Sequence, residues 1–326
     1  MKMEIRIGTR TSQLALWQAE WTAQALRKEG FSVKIFPITT AGDNIKLGPV
    51  SPMISAEGTN VGVFTKELQQ ALLNKEIDVA VHSLKDLPTD TVPGLSLTAT
   101  LPRASVMDVL VVRKDYPRPV TSLSNLRSGA VIGTSSLRRR AQLLAFRKDF
   151  IVRGIRGNLN RRIEKLDTGE YDALILAQAG IERLGWGHRI SAIIPTEIMM
   201  PAVGQGALGL ETRSDDTVTN KALARINDPL TFACVTAERA MLKALDGGCA
   251  TPVGAISFVV KKVTHGTRKA PFLFLHLSGR VITVDGRASL EKTLSGTDPT
   301  LLGVSVAANL LEMGAKDYIT EARAFR

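Results

Sequence analysis

Residues 4–38 read E-I-R-I-G-T-R-T-S-Q-L-A-L-W-Q-A-E-W-T-A-Q-A-L-R-K-E-G-F-S-V-K-I-F-P-I, and their periodicity sets the fold class. Glu4–Thr9 alternates as a strand does. Ser12 is placed to cap a helix that runs through Leu14, Trp17, Trp21 and Leu26 and stops at Gly30. Phe31–Ile38 reads as a second strand. A βαβ opening predicts an α/β sheet. Thr9-Arg10-Thr11-Ser12 falls at the strand-to-helix turn, where free N–H groups and the helix dipole attract anions. For Arg10 the residues alone leave two readings open, an anion contact or a solvated turn.

The pattern continues outward from that unit. Residues 39–62 form a long polar stretch with Gly48-Pro49 and Pro52, a length usually given to mobile or functional loops. Val63–Leu73 is a helix with Phe64, Leu68, Ala71 and Leu72 on one face. Asp78–Val81 is a short strand that leads into His82-Ser83-Leu84-Lys85-Asp86-Leu87-Pro88. Charged and hydroxyl groups at the carboxyl end of a strand occupy the usual ligand position of an α/β sheet. Leu95–Thr100 and Val109–Arg113 read as strands that cross between two domains. A second α/β unit follows: strand Val131–Thr134, a helix capped by Ser135 or Ser136, strand Phe150–Ile155, helix Asn158–Leu166, strand Tyr171–Ala177 and helix Gln178–Leu184.

The last third departs from this alternation. Asp215–Ile226 and Pro229–Leu245 are helices. Val253–Val260, Phe272–Leu277 and Gly279–Val284 read as three antiparallel strands, and Thr300–Met313 as a helix ended by Gly314. A domain boundary is expected near Arg213–Asn227. No internal repeat is visible. Gly204–Gly209 matches G-x-G-x-x-G, but a strand follows it instead of a helix, so it is a hinge or close-approach turn and not a dinucleotide site.

Charge narrows the function. The chain of 326 residues carries a formal net charge of +11, which calls for an anionic partner. Between Gly133 and Arg162 lie eight Arg and one Lys against one acid, Asp149. Aromatic content is 5%, sparse for a surface that stacks nucleobases. Arg dominance suits two-pronged capture of carboxylate or phosphate. No apolar run reaches the ~18 residues of a membrane span. Cys234 and Cys249 make no disulfide framework, as expected in a reducing cytosol. The four histidines show no metal-ligand spacing, and there is neither a nucleophile elbow nor a P-loop.

Cys249 itself stands in Glu238–Gly254, E-R-A-M-L-K-A-L-D-G-G-C-A-T-P-V-G. The helical run stops at Gly247-Gly248, and Pro252 prevents it from resuming. A thiol in such a loop is either a half-buried turn residue or a reachable, reactive one.

This segment resembles the cofactor-attachment signature of the porphobilinogen deaminase (hydroxymethylbilane synthase) family. The chain is also similar to that family at Thr9-Arg10-x-Ser12, Val81–Asp86, Gly133–Arg139, Arg156-Gly157-Asn158 and Pro201–Gly206. The resemblance implies two hinged α/β domains of the periplasmic-binding-protein type and a smaller α+β domain with a three-stranded antiparallel sheet. Their expected limits are 1–103 with 202–222, 104–201 and 223–326. It implies that Cys249 anchors a dipyrromethane primer. It makes Asp86 the catalytic carboxylate, which hydrogen-bonds pyrrole N–H groups and assists loss of ammonia. Lys85, Ser83, Thr134, Ser135, Ser136, Arg138, Arg139, Arg156 and Gly206 are implied as cofactor contacts. Arg10, Ser12, Phe64, Arg156, Arg162, Arg183 and Gln205 are implied as substrate contacts. Four porphobilinogens would join head to tail on the primer, and hydrolysis would release hydroxymethylbilane. One departure is Val61, where the family usually has Lys; a lid-like substrate contact is then either weaker or supplied by Lys46 or Lys66.

Two other classes fit parts of the sequence. A solute receptor shares the two-lobed pattern but needs neither Cys249 nor Asp86. A nucleic-acid binder is suggested by charge alone and would bind with steep salt dependence. The expectation is a cytoplasmic monomer that acts on porphobilinogen, with no metal, nucleic-acid or membrane partner.

Overall fold

The computed structural model describes residues 4–40, 65–248, 251–263 and 272–325. The chain divides into two compact units, Met1–Arg103 with Ala207–Phe232, and Ala104–Gly206 with Ala233–Arg326.

In the first unit β1 (Glu4–Arg10), α1 (Gln13–Lys28), β2 (Ser32–Ile38), α2 (Lys66–Leu73), β3 (Val79–Ser83) and β4 (Leu95–Thr100) are joined by β10 (Leu208–Arg213) and α6 (Thr217–Ala224). The sheet order is β2-β1-β3-β10-β4, with β1, β2 and β3 parallel and β10 antiparallel to both neighbours. Ser12 caps α1 by accepting from the Ala15 N–H at 3.3 Å, worth about 1 kcal/mol. The sheet-facing side of α1 is made of Ala15, Ala19, Ala23 and Leu26 with Gln18 and Thr22. Small side chains let the helix lie close on Ile5, Ile7, Val79 and Val81. Trp17 and Trp21 stack on each other at 5.4 Å, and Trp21 is exposed. Leu68, Ala71 and Leu72 of α2 cover the other face with Ile77 and Ala80. Phe64, Val61 and Lys46 lie outside the described residues; Lys66 opens α2 and is exposed.

The second unit contains β5 (Asp108–Val112), β6 (Val131–Gly133), α3 (Leu137–Phe146), β7 (Ile151–Arg153), α4 (Leu159–Asp167), β8 (Ala173–Ala177), α5 (Gln178–Arg183) and β9 (Ala192–Ile194). Its sheet order is β7-β6-β8-β5-β9, with β6, β7 and β8 parallel and β5 antiparallel to both neighbours. The two sheets therefore repeat one topology, although the sequence shows no repeat. β4 and β5 do not cross between domains as expected; each is paired wholly within its own unit, and only the link between them crosses. Both faces of this sheet are buried. Leu110, Ile132 and Ile175 face one core, and Val109, Val111, Leu174 and Leu176 the other.

The same unit holds α7 (Pro229–Ala244) from Ala233 onward, β11 (Val253–Val263), β12 (Phe272–Ile282), β13 (Ser289–Gly296), α8 (Pro299–Glu312) and α9 (Ala315–Ala324). The three-stranded antiparallel sheet β11-β12-β13 is as expected, but its strands are not. The two runs on either side of Ser278 form the single strand β12, and the third strand is 289–296. Gly279 is no break. A Cβ there would meet Met241 Sδ at 2.3 Å, so glycine serves close packing of the sheet on α7. The reversal comes at Thr283–Ala288, where the Thr283 hydroxyl donates to Asp285 and accepts from the Arg287 and Ala288 N–H groups. Gly286 there has φ +71, and a Cβ would stand 2.5 Å from the Ala141 carbonyl of α3.

Candidate functional site

In the first unit the carboxyl ends of the parallel strands carry the expected groups. Arg10 ends β1 and Ser12 caps the following helix. β3 runs into a single 3-10 turn, Leu84–Asp86. Leu84 and Leu87 are buried on either side of Lys85 and Asp86. The Leu84 N–H donates to the Ala207 carbonyl at 3.0 Å, and the Leu87 N–H returns to the Leu84 carbonyl at 3.2 Å. Asp86 is thus an exposed carboxylate on a turn anchored at both feet. Ser83 accepts from Gln18 Nε2 at 2.8 Å.

Below the turn lies a buried polar group that sequence reading did not find. His82 Nε2 is 3.0 Å from Glu211 Oε2, and Gln69 Nε2 donates to Glu211 Oε1 at 3.0 Å. His82 and Glu211 are 129 positions apart, so no local pattern could pair them.

In the second unit three chain reversals at the carboxyl ends of β6, β7 and β8 carry the arginines and hydroxyls. Ser136, not Ser135, caps α3 by accepting from the Arg139 N–H at 3.4 Å. Ser135 Oγ donates to the Ile155 carbonyl at 2.7 Å and accepts from the Ile155 N–H at 2.9 Å, which ties the loop after β6 to the loop after β7. Thr134 Oγ1 accepts from the Ser136 N–H at 3.2 Å. Asn158 caps α4 through the Arg161 N–H at 3.1 Å. Arg156 is exposed, and Arg162 Nε donates to the Gly157 carbonyl at 2.8 Å. Arg183 Nη2 donates to the Gly206 carbonyl at 2.8 Å, and burial pulls its pKa down to about 10. Desolvation of this kind strengthens any charge-assisted bond made there.

Arg138 and Arg139 are buried around Asp108, which the sequence did not single out. Arg138 Nη2 is 2.8 Å from Asp108 Oδ2, and Arg139 Nη2 is 2.7 Å from Asp108 Oδ1. Arg138 also donates to the Met200 carbonyl and Arg139 to that of Ile175. Burial, the largest influence, lowers the Arg138 pKa, and Asp108 acts against it. Gln205 is fully buried and donates to the Val106 carbonyl at 2.6 Å and to Asp108 Oδ1 at 3.1 Å. Gly206 has φ +85, and a Cβ would stand 2.5 Å from the Ala104 carbonyl, so this is a close-approach turn. Cys249 lies outside the described residues; the helix that leads to it, α7, packs in the core with Met241, Leu242 and Leu245.

Sheets of this order, with cations gathered at the carboxyl ends of their parallel strands, define an α/β protein of two such sheets. Comparison with known proteins is more specific. Residues 5–221 match the family model "Porphobilinogen deaminase, dipyromethane cofactor binding domain", and residues 232–312 match "Porphobilinogen deaminase, C-terminal domain". A porphobilinogen deaminase of Chlorobium phaeobacteroides (strain BS1) is 41% identical over 331 residues, covering 99% of each chain. One of Trichlorobacter lovleyi is 44% identical over 321 residues, covering 97% of this chain and 96% of that one. Solved solute-binding proteins are only slightly similar. A TRAP periplasmic solute binding protein from Desulfovibrio salexigens aligns at TM-score 0.40 and 10% identity over 70% of this chain and 72% of that one.

The chain belongs to the porphobilinogen deaminase family. It is a transferase of tetrapyrrole biosynthesis, a hydroxymethylbilane synthase that joins four porphobilinogens on a covalent dipyrromethane primer. The second unit's residues fit such a carboxylate-bearing group. Two buried guanidiniums share one carboxylate, leaving a cationic excess, and Arg138 Nε has no hydrogen-bond partner among the described residues. No helix among the described residues is long and apolar enough to cross a membrane.

Proposed function

We propose that Asp86 is the catalytic carboxylate and Cys249 the attachment point of the primer. What supports this reading is that the candidate residues fall at the same end of each unit's sheet. Arg10, Ser12, Lys85 and Asp86 follow β1 and β3, while Thr134–Arg139, Arg156–Arg162 and Arg183 follow β6, β7 and β8.

Loss of ammonia from porphobilinogen leaves a methylene carbon carrying positive charge shared with the pyrrole. A carboxylate fixed on a short anchored turn stabilises that charge without reorganising, an effect of about 10²–10³ in rate when one such group is removed. Asp86 also accepts from the pyrrole N–H and so orients the ring for attack. Bound through Cys249, the dipyrromethane supplies the pyrrole carbon onto which the first unit joins. Each unit added brings two carboxylates. Arg138, Arg139, Arg156 and Lys85, with the hydroxyls of Ser83, Thr134, Ser135 and Ser136, hold those of the primer and growing chain. Arg10, Ser12, Arg156, Arg162 and Arg183 hold those of the incoming substrate. Each charge-assisted bond contributes roughly 1.5–3 kcal/mol at best. Tethering turns every condensation into an intramolecular step. Gln205 and Gly206 act indirectly, since their bonds shape the Asp108 cluster and the Arg183 contact.

In this reading residues 1–103 with 202–222, 104–201 and 223–326 are three working domains, the last carrying Cys249. The chain works as a cytoplasmic monomer, which sedimentation of the purified protein would check. Intact mass tests the attachment. The wild-type chain should exceed its sequence mass by one dipyrromethane and colour with an Ehrlich-type aldehyde reagent. Cys249→Ala should match its sequence mass and form no product. Turnover of porphobilinogen by wild-type enzyme whose Cys249 remains an unmodified thiol would sink the proposal.

A further inference from the structure

The buried group below the Asp86 turn takes no part in the reading above. His82 and Glu211 are 4% exposed each, and Gln69 is 8% exposed. Burying a carboxylate is costly unless both oxygens are met, and here both are. One faces His82 Nε2 and the other the Gln69 amide.

The geometry explains how the contact is reached. On the β3–β10 ladder His82 stands opposite Gly209, and Ala80 opposite Glu211. Glu211 therefore reaches His82 on the diagonal, past a residue with no side chain. A Cβ at position 209 would meet Leu84 Cδ1 at 2.7 Å, and Leu84 is the first residue of the Asp86 turn. The backbone bond from Leu84 to Ala207 closes the same ladder one step on. Three segments meet at Glu211. β3 delivers Asp86, β10 follows the Gln205-Gly206 turn, and α2 follows residues 41–64. A buried polar group with every partner in place fixes one arrangement of the elements that carry it.

We propose that His82, Glu211 and Gln69 are positioning residues for Asp86. They lock the register and tilt of β3 against β10 and α2, and so hold the Asp86 turn where its carboxylate must stand. The inference rests on the catalytic reading of Asp86. Misplacing a reacting group by about 1 Å can cost on the order of a hundredfold in rate.

The test compares His82→Leu, His82→Gln, Glu211→Gln and Gln69→Leu with Asp86→Asn in holoenzyme, by steady-state kinetics on porphobilinogen and by thermal unfolding. Assays run well below the lowest Tm. His82→Leu should lower kcat about tenfold to a hundredfold while KM stays within about twofold, because the loss falls on the transition state. His82→Gln, whose amide can occupy the Nε2 position, should recover most of that rate. Glu211→Gln and Gln69→Leu should lower kcat in the same sense, and they carry the test if His82→Leu fails to fold. A merely structural group would lower Tm in these variants and leave the kcat of the folded enzyme unchanged. That result, or a His82→Gln no faster than a well-folded His82→Leu, overturns the inference. If Asp86→Asn itself turns over normally, the underlying reading falls; if Asp86→Asn is crippled while the others keep full kcat, only the positioning role falls.

Discussion

Each unit contains an aspartate clasped by two arginines, and the two clusters sit at opposite ends of the same sheet topology. In the first unit Asp78 precedes β3. It accepts from Arg6 at 2.8 and 3.0 Å and from Arg213 at 3.1 Å. That is the amino end of the parallel strands, away from Asp86. In the second unit Asp108 starts β5, which is antiparallel, so it stands beside Ala177 at the carboxyl end of β8. The same three charges therefore secure a strand at one end and belong to the candidate anion site at the other. On the proposed reading, position along the sheet, not composition, separates a structural ion cluster from a working one.

The comparison can be broken in several ways, and the strongest concerns the exposed acid. Asp86→Asn should lower kcat by about 10²–10³ without lowering Tm, since Asp86 is exposed and its turn is held by backbone bonds and buried leucines. Near-normal steady-state turnover would remove Asp86 from the chemistry. Asp108→Asn should cost about 3–5 kcal/mol in urea unfolding, because it leaves two buried guanidiniums facing no charge. It should also weaken retention of the primer, read by intact mass. A loss of stability with full primer occupancy would make the Asp108 cluster as structural as that of Asp78.

Arg156→Ala tests an exposed cation of the second unit. KM for porphobilinogen should rise about tenfold, since one charge-assisted bond to the substrate is lost. The smallest effect belongs to Asp78→Asn, about 1–2 kcal/mol at neutral pH, because Arg6 is partly exposed. Burial works to raise the Asp78 pKa, but the Arg6 and Arg213 bonds outweigh it and the net shift is downward. An aspartate with a lowered folded-state pKa stabilises above its unfolded value of about 3.9 and loses that contribution as pH falls through its folded value. The stability gap between wild type and Asp78→Asn should therefore close on acidification below about pH 4, with kcat unaffected above it.

What could be read in the sequence was local. The first helix with its Ser12 cap, the β3 turn, and the arginine-bearing helix starts at Ser136 and Asn158 all follow from neighbours within a few positions. What could not be read was partnership at a distance. Asp108 and Glu211 look unremarked in sequence because their partners lie at least 30 and up to 142 positions away. Gly279 misled for a related reason. In sequence it resembles a strand break, whereas its role is set by Met241 on another element. The third strand 289–296 was missed because Lys292 falls on its inward side between Leu290 and Leu294.

One consequence of the sheet order concerns biosynthesis of the chain itself. β10 separates β3 from β4, yet it is made more than a hundred residues after either. As the polypeptide leaves the ribosome, the amino-terminal unit must wait with two unpaired strand edges until the whole of the intervening α/β sheet has emerged. The middle sheet, whose strands are contiguous from β5 to β9, can close first. Nascent fragments ending before residue 208 should thus protect the second sheet, and not the first, from protease.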